Sequence, residues 1–295
     1  MKTVRFQYQT ELAFSSPASE HTFLLRILPR SDGRQRIESL SWHIDPSPTD
    51  TLWRTVDGFG NDVLAGHISA PHSRFRFGTE GVAEVSGEPY ISSDEPQRVL
   101  LYPTELTRPH RGLADFYDGV NNGINDRMAE RSRSRMGVNN GINDGINKNI
   151  NDNINRSATI NALDRVQHFS HAVHARLRYE RGATTNTTTA SEAFDIGAGV
   201  CQDYAHILLA LLRMDKIPCR YVAGLASDCG ETHAWVEAWT GDRYCAVDPT
   251  RDKLTDEGYI ALSRGRDFAD CSIERGVFNG ACRGTQTVGL SMNIS

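Results

Sequence analysis

The run Gly197-Ala198-Gly199-Val200-Cys201-Gln202-Asp203-Tyr204-Ala205-His206 sets one cysteine between a glycine-bracketed loop and an apolar stretch that continues to Met214. Downstream, His233 stands in Thr232-His233-Ala234-Trp235-Val236-Glu237-Ala238-Trp239, and Asp248 closes Arg243-Tyr244-Cys245-Ala246-Val247-Asp248. A thiol, an imidazole and a carboxylate are the parts of a nucleophilic triad. The imidazole takes the thiol proton and returns it to the leaving group, while the carboxylate fixes the tautomer and stabilises the imidazolium. Such a set attacks an acyl carbon and passes through a covalent thioester.

These residues need elements to hold them. Tyr204, Ile207, Leu208, Leu211 and Leu212 recur at three- and four-residue spacing, which predicts an amphipathic helix with Cys201 in its first turn. The unpaired N–H groups and positive dipole end of a helix start favour a thiolate. Cysteines so placed near a histidine have pKa values lowered from ~8.5 to roughly 3.5–7.5. The backbone N–H of Cys201 is the natural first donor to a developing oxyanion, and Gln202 and Tyr179 are the candidates for a second. Asp203 and His206 read as a helix cap and a packed polar residue.

The segments carrying His233 and Asp248 alternate apolar and polar residues as strands do, and Gly241-Asp242 between them suits a two-residue type II′ hairpin loop. With that loop Thr240 opposes Arg243, Trp235 opposes Asp248, and His233 lies one diagonal step from Asp248. Diagonal neighbours are about 7–8 Å apart at Cα, within reach of an imidazole and a carboxylate. A slip of one residue would send the two to opposite faces, so the expectation depends on register. Trp235, Trp239 and Tyr259 either line a cleft or fill the core of these strands.

The remainder of the chain is ordinary in composition. It has 295 residues, 39% hydrophobic and 23% charged, enough for two globular domains. A net charge of −5 gives no general attraction to nucleic acid or to an anionic membrane, so neither is expected as a partner. The N-terminus alternates like a strand and lacks a signal-peptide core, and no apolar run approaches ~18 residues, which places the protein in the cytoplasm. The six cysteines lie between Cys201 and Cys282 with no C-x-x-C spacing. In a reducing compartment Cys219, Cys245, Cys271 and Cys282 are then structural thiols.

Residues 1–97 show period-two patterning at Val4/Phe6/Tyr8, Phe23/Leu25/Ile27, Leu40/Trp42/Ile44 and Phe75/Phe77, the mark of an all-β, sandwich-like domain. Pro89, Pro96, Pro103 and Pro109 then punctuate a connection through 98–118. Gly119-Val120-Asn121-Asn122-Gly123-Ile124-Asn125-Asp126 recurs unchanged as Gly137 to Asp144, and Asn-rich echoes follow to residue 156. With poor helix formers and no apparent apolar support, 119–156 reads as a disordered low-complexity insertion. A helix from Ala158 to Arg178 carries His168, His171 and His174 at three-residue intervals, but without H-E-x-x-H or a carboxylate partner no metal site is expected. Thr188-Thr189-Ala190-Ser191-Glu192 predicts a capped short helix ended by Gly197.

The motifs Gly199-Val200-Cys201-Gln202-Asp203-Tyr204-Ala205-His206, Arg220-Tyr221-Val222-Ala223-Gly224, His233-Ala234-Trp235-Val236-Glu237 and Val247-Asp248-Pro249-Thr250, in that order, resemble the bacterial transglutaminase-like superfamily. Gly265-Arg266-Asp267-Phe268-Ala269-Asp270 and Gly276-Val277-Phe278-Asn279-Gly280 resemble its tail, and the β-rich start resembles the domain that accompanies its core in bacteria. The resemblance implies an α+β fold with a papain-like core at 157–295, catalytic residues Cys201, His233 and Asp248, and no cofactor. It implies thiol-dependent acyl transfer on a peptide or protein amide, with hydrolysis of a peptide or isopeptide bond ahead of transglutamination by an amine acceptor. A non-catalytic binding scaffold is the reading of another class. Cys229, in Ser227-Asp228-Cys229-Gly230-Glu231, and Cys219 depart from the family pattern.

Overall fold

The computed structural model describes residues 1–92, 95–138 and 150–295, with the side chains of residues 1–92, 95–124, 126 and 162–295. The long strand β1 (Lys2–Leu25) shows the predicted alternation: Val4, Phe6, Tyr8 and Thr10 are buried, while Arg5, Gln7 and Gln9 are exposed. With β2 (Gln35–Asp45), β3 (Trp53–Val56), β4 (Asp62–Ile68) and β5 (His72–Val85) it forms an antiparallel sheet in the order β2-β5-β1-β4-β3. Register breaks between Ala13 and Ala18, so the first half of β1 pairs with β5 and residues His21 to Leu25 pair with β4. A bulge of this kind bends a strand. Side chains from both halves, including Phe6, Tyr8, Phe23, Phe75 and Phe77, then share one core.

Beyond β6 (Tyr90–Ile91) and a 3-10 turn at Arg98–Leu101 come two long helices, α1 (Arg111–Val138) and α2 (Ile150–Arg176). The two-residue strand β7 (Arg178–Tyr179) leads to α3 (Ala190–Ile196). Thr189 and Glu192 form the capping box of α3, and Gly197 ends it in the left-handed conformation at φ 70°, as the sequence predicts. β8 (Ala198–Gly199) runs parallel to β7 and enters α4 (Cys201–Met214).

The second sheet follows with β9 (Cys219–Ala226), β10 (Thr232–Trp239), β11 (Tyr244–Asp248), β12 (Lys253–Leu254) and β13 (Tyr259–Gly265), in the order β12-β11-β10-β9-β13. The apolar stripe of α4 covers one face of it, where Ile207, Leu208 and Leu211 share a core with Tyr221, Ala234, Val236 and Ala238. The architecture is α+β with a β-rich N-terminal region.

Long-range pairing crosses the boundaries expected at 97 and 157. After the short helix α5 (Phe268–Cys271), β14 (Glu274–Asn279) and β15 (Gly284–Ile294) return to flank β1 in the N-terminal sheet. Conversely, β6 pairs with β11 in the second sheet. The first repeat copy also departs from the disorder expected of 119–156. It lies within α1, Ile124 is buried, Val120 packs on the α4 core, and Asn121 accepts a hydrogen bond from Arg165 at 2.7 Å. The apolar support that the local sequence lacks comes from α2 and α4. The same expectation for 139–149 lies outside the described residues. Among the described residues no helix is long and apolar enough to cross a membrane.

The two sheets are joined by an apolar seam and a buried charge network. Leu225, Ile260 and Leu262 of the second sheet pack into the N-terminal core. Arg264 on β13 reaches Asp32 at 2.6 Å and Glu237 at 2.9 Å, and Arg220 also holds Glu237 at 2.6 Å. Burial would raise the Glu237 pKa, but the two guanidinium groups override it and bring it down to about 2. Removing one member of a buried network leaves charge uncompensated. Arg264→Met should therefore lower unfolding free energy by about 3 kcal/mol, read as a fall in urea midpoint at unchanged slope; a loss under about 1 kcal/mol would show that the apolar seam suffices.

Candidate active site

Cys201 is the first residue of α4, partly exposed, and its helix start is fixed by Asp203. Asp203 Oδ2 accepts the backbone N–H of Val200 at 2.7 Å and the Thr184 hydroxyl at 2.7 Å. Gly199 makes this approach possible, because a Cβ there would sit 2.4 Å from Asp203 Oδ2. His206, one turn on, is wholly buried and accepts the Phe268 N–H at 3.1 Å through Nε2. Burial first, and then Arg213, lower its pKa to about 3, so it stays neutral. Asp203 and His206 are thus the cap and the packed polar residue their spacing suggests.

β10 and β11 adopt the register on which the His233–Asp248 expectation depended. Val236 pairs with Val247 and Trp239 with Tyr244, and the Thr240 N–H donates to the Arg243 carbonyl at 2.9 Å across the tight loop. Gly241 takes φ 110°, the region its position in the loop requires. His233 Nε2 lies 2.7 Å from Asp248 Oδ2, with both side chains almost fully buried. Since Nε2 is engaged, Nδ1 is left for the thiol. The Cys201 and Cys229 side chains both act on the ring, raising its pKa.

Asp248 collects more partners than sequence reading anticipated. Oδ2 also accepts from Tyr259 Oη at 2.7 Å and Arg251 Nη1 at 2.8 Å, and Oδ1 accepts the backbone N–H groups of Thr250 at 2.9 Å and Arg251 at 3.3 Å. Burial pushes its pKa up, but His233, Tyr259 and Arg251 pull it down to about 2, against 3.8 ordinarily. For His233 burial opposes the charge, yet the Asp248 hydrogen bond, followed by those to Cys201 and Cys229, raises its pKa above 6.5.

Arg251 went unnoticed in the sequence, although its signal was present. In Asp248-Pro249-Thr250-Arg251 the aspartate caps its own turn and returns the fourth residue's side chain to it. From there Arg251 also reaches the Cys229 sulfur at 2.9 Å and Asp228 at 2.6 Å.

The other sequence candidates sort by contact. Tyr179 is half-exposed on β7; burial and then the Cys201 charge raise its phenol pKa. Gln202 instead donates to the Asn186 carbonyl at 3.2 Å. Trp235 and Tyr259 are core residues, fully buried edge to face with ring centroids 5.4 Å apart. Gly224 leaves room for the indole, since a Cβ there would meet it at 2.4 Å. The α2 histidines do not converge: His168 bonds the Asp164 carbonyl, His171 the Asp252 carboxylate, and His174 the carbonyls of Pro249 and Thr250. Among the described residues no group of three or more His, Cys, Asp or Glu side chains could hold a metal ion.

Two parts of the chain match known families. Residues 148–249 match the transglutaminase-like superfamily, and residues 4–84 match the bacterial transglutaminase-like N-terminal region. An uncharacterised protein of Mycobacterium leprae is 27% identical, covering 100% of this chain and 99% of its own. One from Mycobacterium tuberculosis H37Rv is also 27% identical, covering 92% of this chain and 86% of its own. A crystal structure from Cytophaga hutchinsonii, provisionally described as a cysteine protease, superposes with a TM-score of 0.63 at 19% identity, over 99% of this chain and 91% of that one.

The charge pairing predicts a titration. Asp248→Asn removes the anion that raises the His233 pKa, so the imidazolium should lose its proton at lower pH, as read from ring 13C and 15N shifts. The sign is equally definite for stability. The lowered Asp248 pKa contributes stability above pH 3.8 that is lost as pH falls toward about 2, so urea midpoints of wild type and variant should converge over that interval.

Proposed function

This chain belongs to the transglutaminase-like superfamily, and from that premise we propose that it is a thiol enzyme cleaving amide bonds, with Cys201, His233 and Asp248 as its catalytic set. The observation that carries the reading is the buried 2.7 Å His233–Asp248 pair, whose imidazole keeps Nδ1 available to a thiol at a helix start.

The steps follow from these positions. His233 Nδ1 receives the Cys201 proton, and the thiolate sulfur adds to the amide carbonyl. The developing oxyanion meets the Cys201 backbone N–H, with the Tyr179 phenol as second donor. Collapse breaks the C–N bond while the imidazolium returns its proton to the leaving amine. Asp248 stays ionised throughout, stabilising the imidazolium and holding the ring. The thioester is resolved by water, activated by the now neutral His233. Partial exposure of Cys201 supports water as acceptor, because a thioester at an open position is accessible to the solvent present at highest concentration. The substrate class is a peptide or isopeptide bond.

A panel of peptides and isopeptide-linked peptides offered to wild type and Cys201→Ala tests this. Cleavage should fall on the order of 10⁶-fold in Cys201→Ala and about 10⁴-fold in Asp248→Asn. Tyr179→Phe should lower kcat by about 10²–10³-fold with little change in KM. Repeating the reaction with a fluorescent primary amine identifies the acceptor. Incorporation of the amine in place of hydrolysis would overturn the peptidase reading, and cleavage that survives Cys201→Ala would overturn the catalytic set.

A further inference from the structure

Three of the six cysteines are sealed in the core. Cys219, Cys245 and Cys271 are fully buried, and burial pushes their thiols up, to about 11 and about 12 for the first two. Such thiols are inert. Cys229 differs on every count. It is partly exposed on the five-residue loop Ser227-Asp228-Cys229-Gly230-Glu231 between β9 and β10. Arg251 Nη2 stands 2.9 Å from its sulfur, and the same guanidinium holds Asp248, the partner of His233. Burial acts against its ionisation, but His233 and Arg251 prevail and lower its pKa. An electropositive, partly exposed surrounding is what makes a cysteine reactive.

The placement gives this second thiol a partner. Cys201 and Cys229 both raise the His233 pKa, one from the start of α4 and the other from the β9–β10 loop, where Arg251 ties it to Asp248, the partner of His233. A disulfide needs Cβ atoms about 3.5–4.5 Å apart. At the next residue, Gly230, nothing stands within 4 Å of a built Cβ, so the loop tip has open space in which to adjust.

We propose that Cys229 is a redox modification site that captures an oxidised Cys201 as a reversible Cys201–Cys229 disulfide. The inference rests on the reading of Cys201 as a reactive thiol. The oxidant is a hydroperoxide. The Cys201 thiolate attacks the hydroxyl oxygen of the peroxide; the O–O bond breaks, the other oxygen leaves as an alcohol or water after taking a proton from solvent, and Cys201 is oxidised to a sulfenic acid. The Cys229 thiolate then attacks the Cys201 sulfur. The S–O bond breaks, and hydroxide leaves as water with the proton of the His233 imidazolium. Arg251 favours the thiolate of Cys229 for this step and loses its sulfur contact as the disulfide forms. A dithiol reverses the bond, whereas a sulfenic acid without a nearby thiol proceeds to irreversible sulfinic acid.

The full chain is treated with one equivalent of hydrogen peroxide, blocked with N-ethylmaleimide and mapped by mass spectrometry without reduction. A peptide pair linking Cys201 to Cys229, two hydrogens lighter than its parts, is expected, and dithiothreitol should restore iodoacetamide labelling of Cys201 to its starting level. In Cys229→Ser and Cys229→Ala a second equivalent of peroxide should carry the Cys201 sulfenic acid on to sulfinic acid that dithiothreitol does not recover. Oxidised Cys201 together with maleimide-labelled Cys229 in the wild type would overturn the proposal without recourse to a variant. Labelling of the untreated protein separates the two readings. If Cys201 labels readily and no linkage forms, this inference alone falls; if Cys201 resists labelling, the proposed catalytic role falls with it.

Discussion

A carboxylate taken out of water must be compensated where it lies, and Asp248 is wholly buried beneath the candidate site. Five donors meet it, from three parts of the chain: His233 on β10, Tyr259 on β13, and the side chain and two backbone N–H groups of the turn through Arg251. No one of these elements can shift by a residue without stranding the anion. The demand for compensation therefore fixes the relative positions of β10, β11 and β13. It also orients the imidazole, because a ring held at Nε2 presents Nδ1 to the helix start.

The N-terminal sheet supports this arrangement from behind. Arg34 donates to the carbonyls of Tyr259 and Asp256, and Gln35 exchanges hydrogen bonds with the backbone of Ala261 at 3.0 and 2.8 Å. These contacts grip β13 at the residues that bring Tyr259 to Asp248. The Asp32–Arg264–Glu237 network continues the grip one turn of the pleat further on. The β-rich region thus acts on the candidate site by holding a strand, with Cys201, His233 and Asp248 on α4 and the second sheet. Return of β14 and β15 to β1 closes the chain around the same support.

Identical side-chain chemistry acquires different properties in this frame. Histidines show it most clearly. The buried anion raises the His233 pKa, whereas burial beside Arg213 lowers that of His206. In the N-terminal core His21 stacks on His72 among Phe14, Phe23 and Phe75, and burial followed by the His72 neighbour lowers its pKa to about 4. Residue type alone assigns none of these states.

Much of the site was legible in the sequence because its determinants are local. The Thr189 capping box, the stripe of α4, the Cys201 helix start and the Gly241-Asp242 loop each lie within a few residues of what they control. The loop sets β10–β11 pairing, and pairing parity puts His233 beside Asp248. The sequence by itself therefore picked out Cys201, His233 and Asp248 as a candidate set. Tertiary structure alone decided the rest. Whether β14 and β15 pair with β1, whether Ile124 finds a core, and whether Cys229 meets Arg251 all depend on chain segments tens to hundreds of residues apart. Periodicity records which face of an element is buried, but not which distant surface buries it. Charge states follow the same division, since a pKa is set by the groups folded around it.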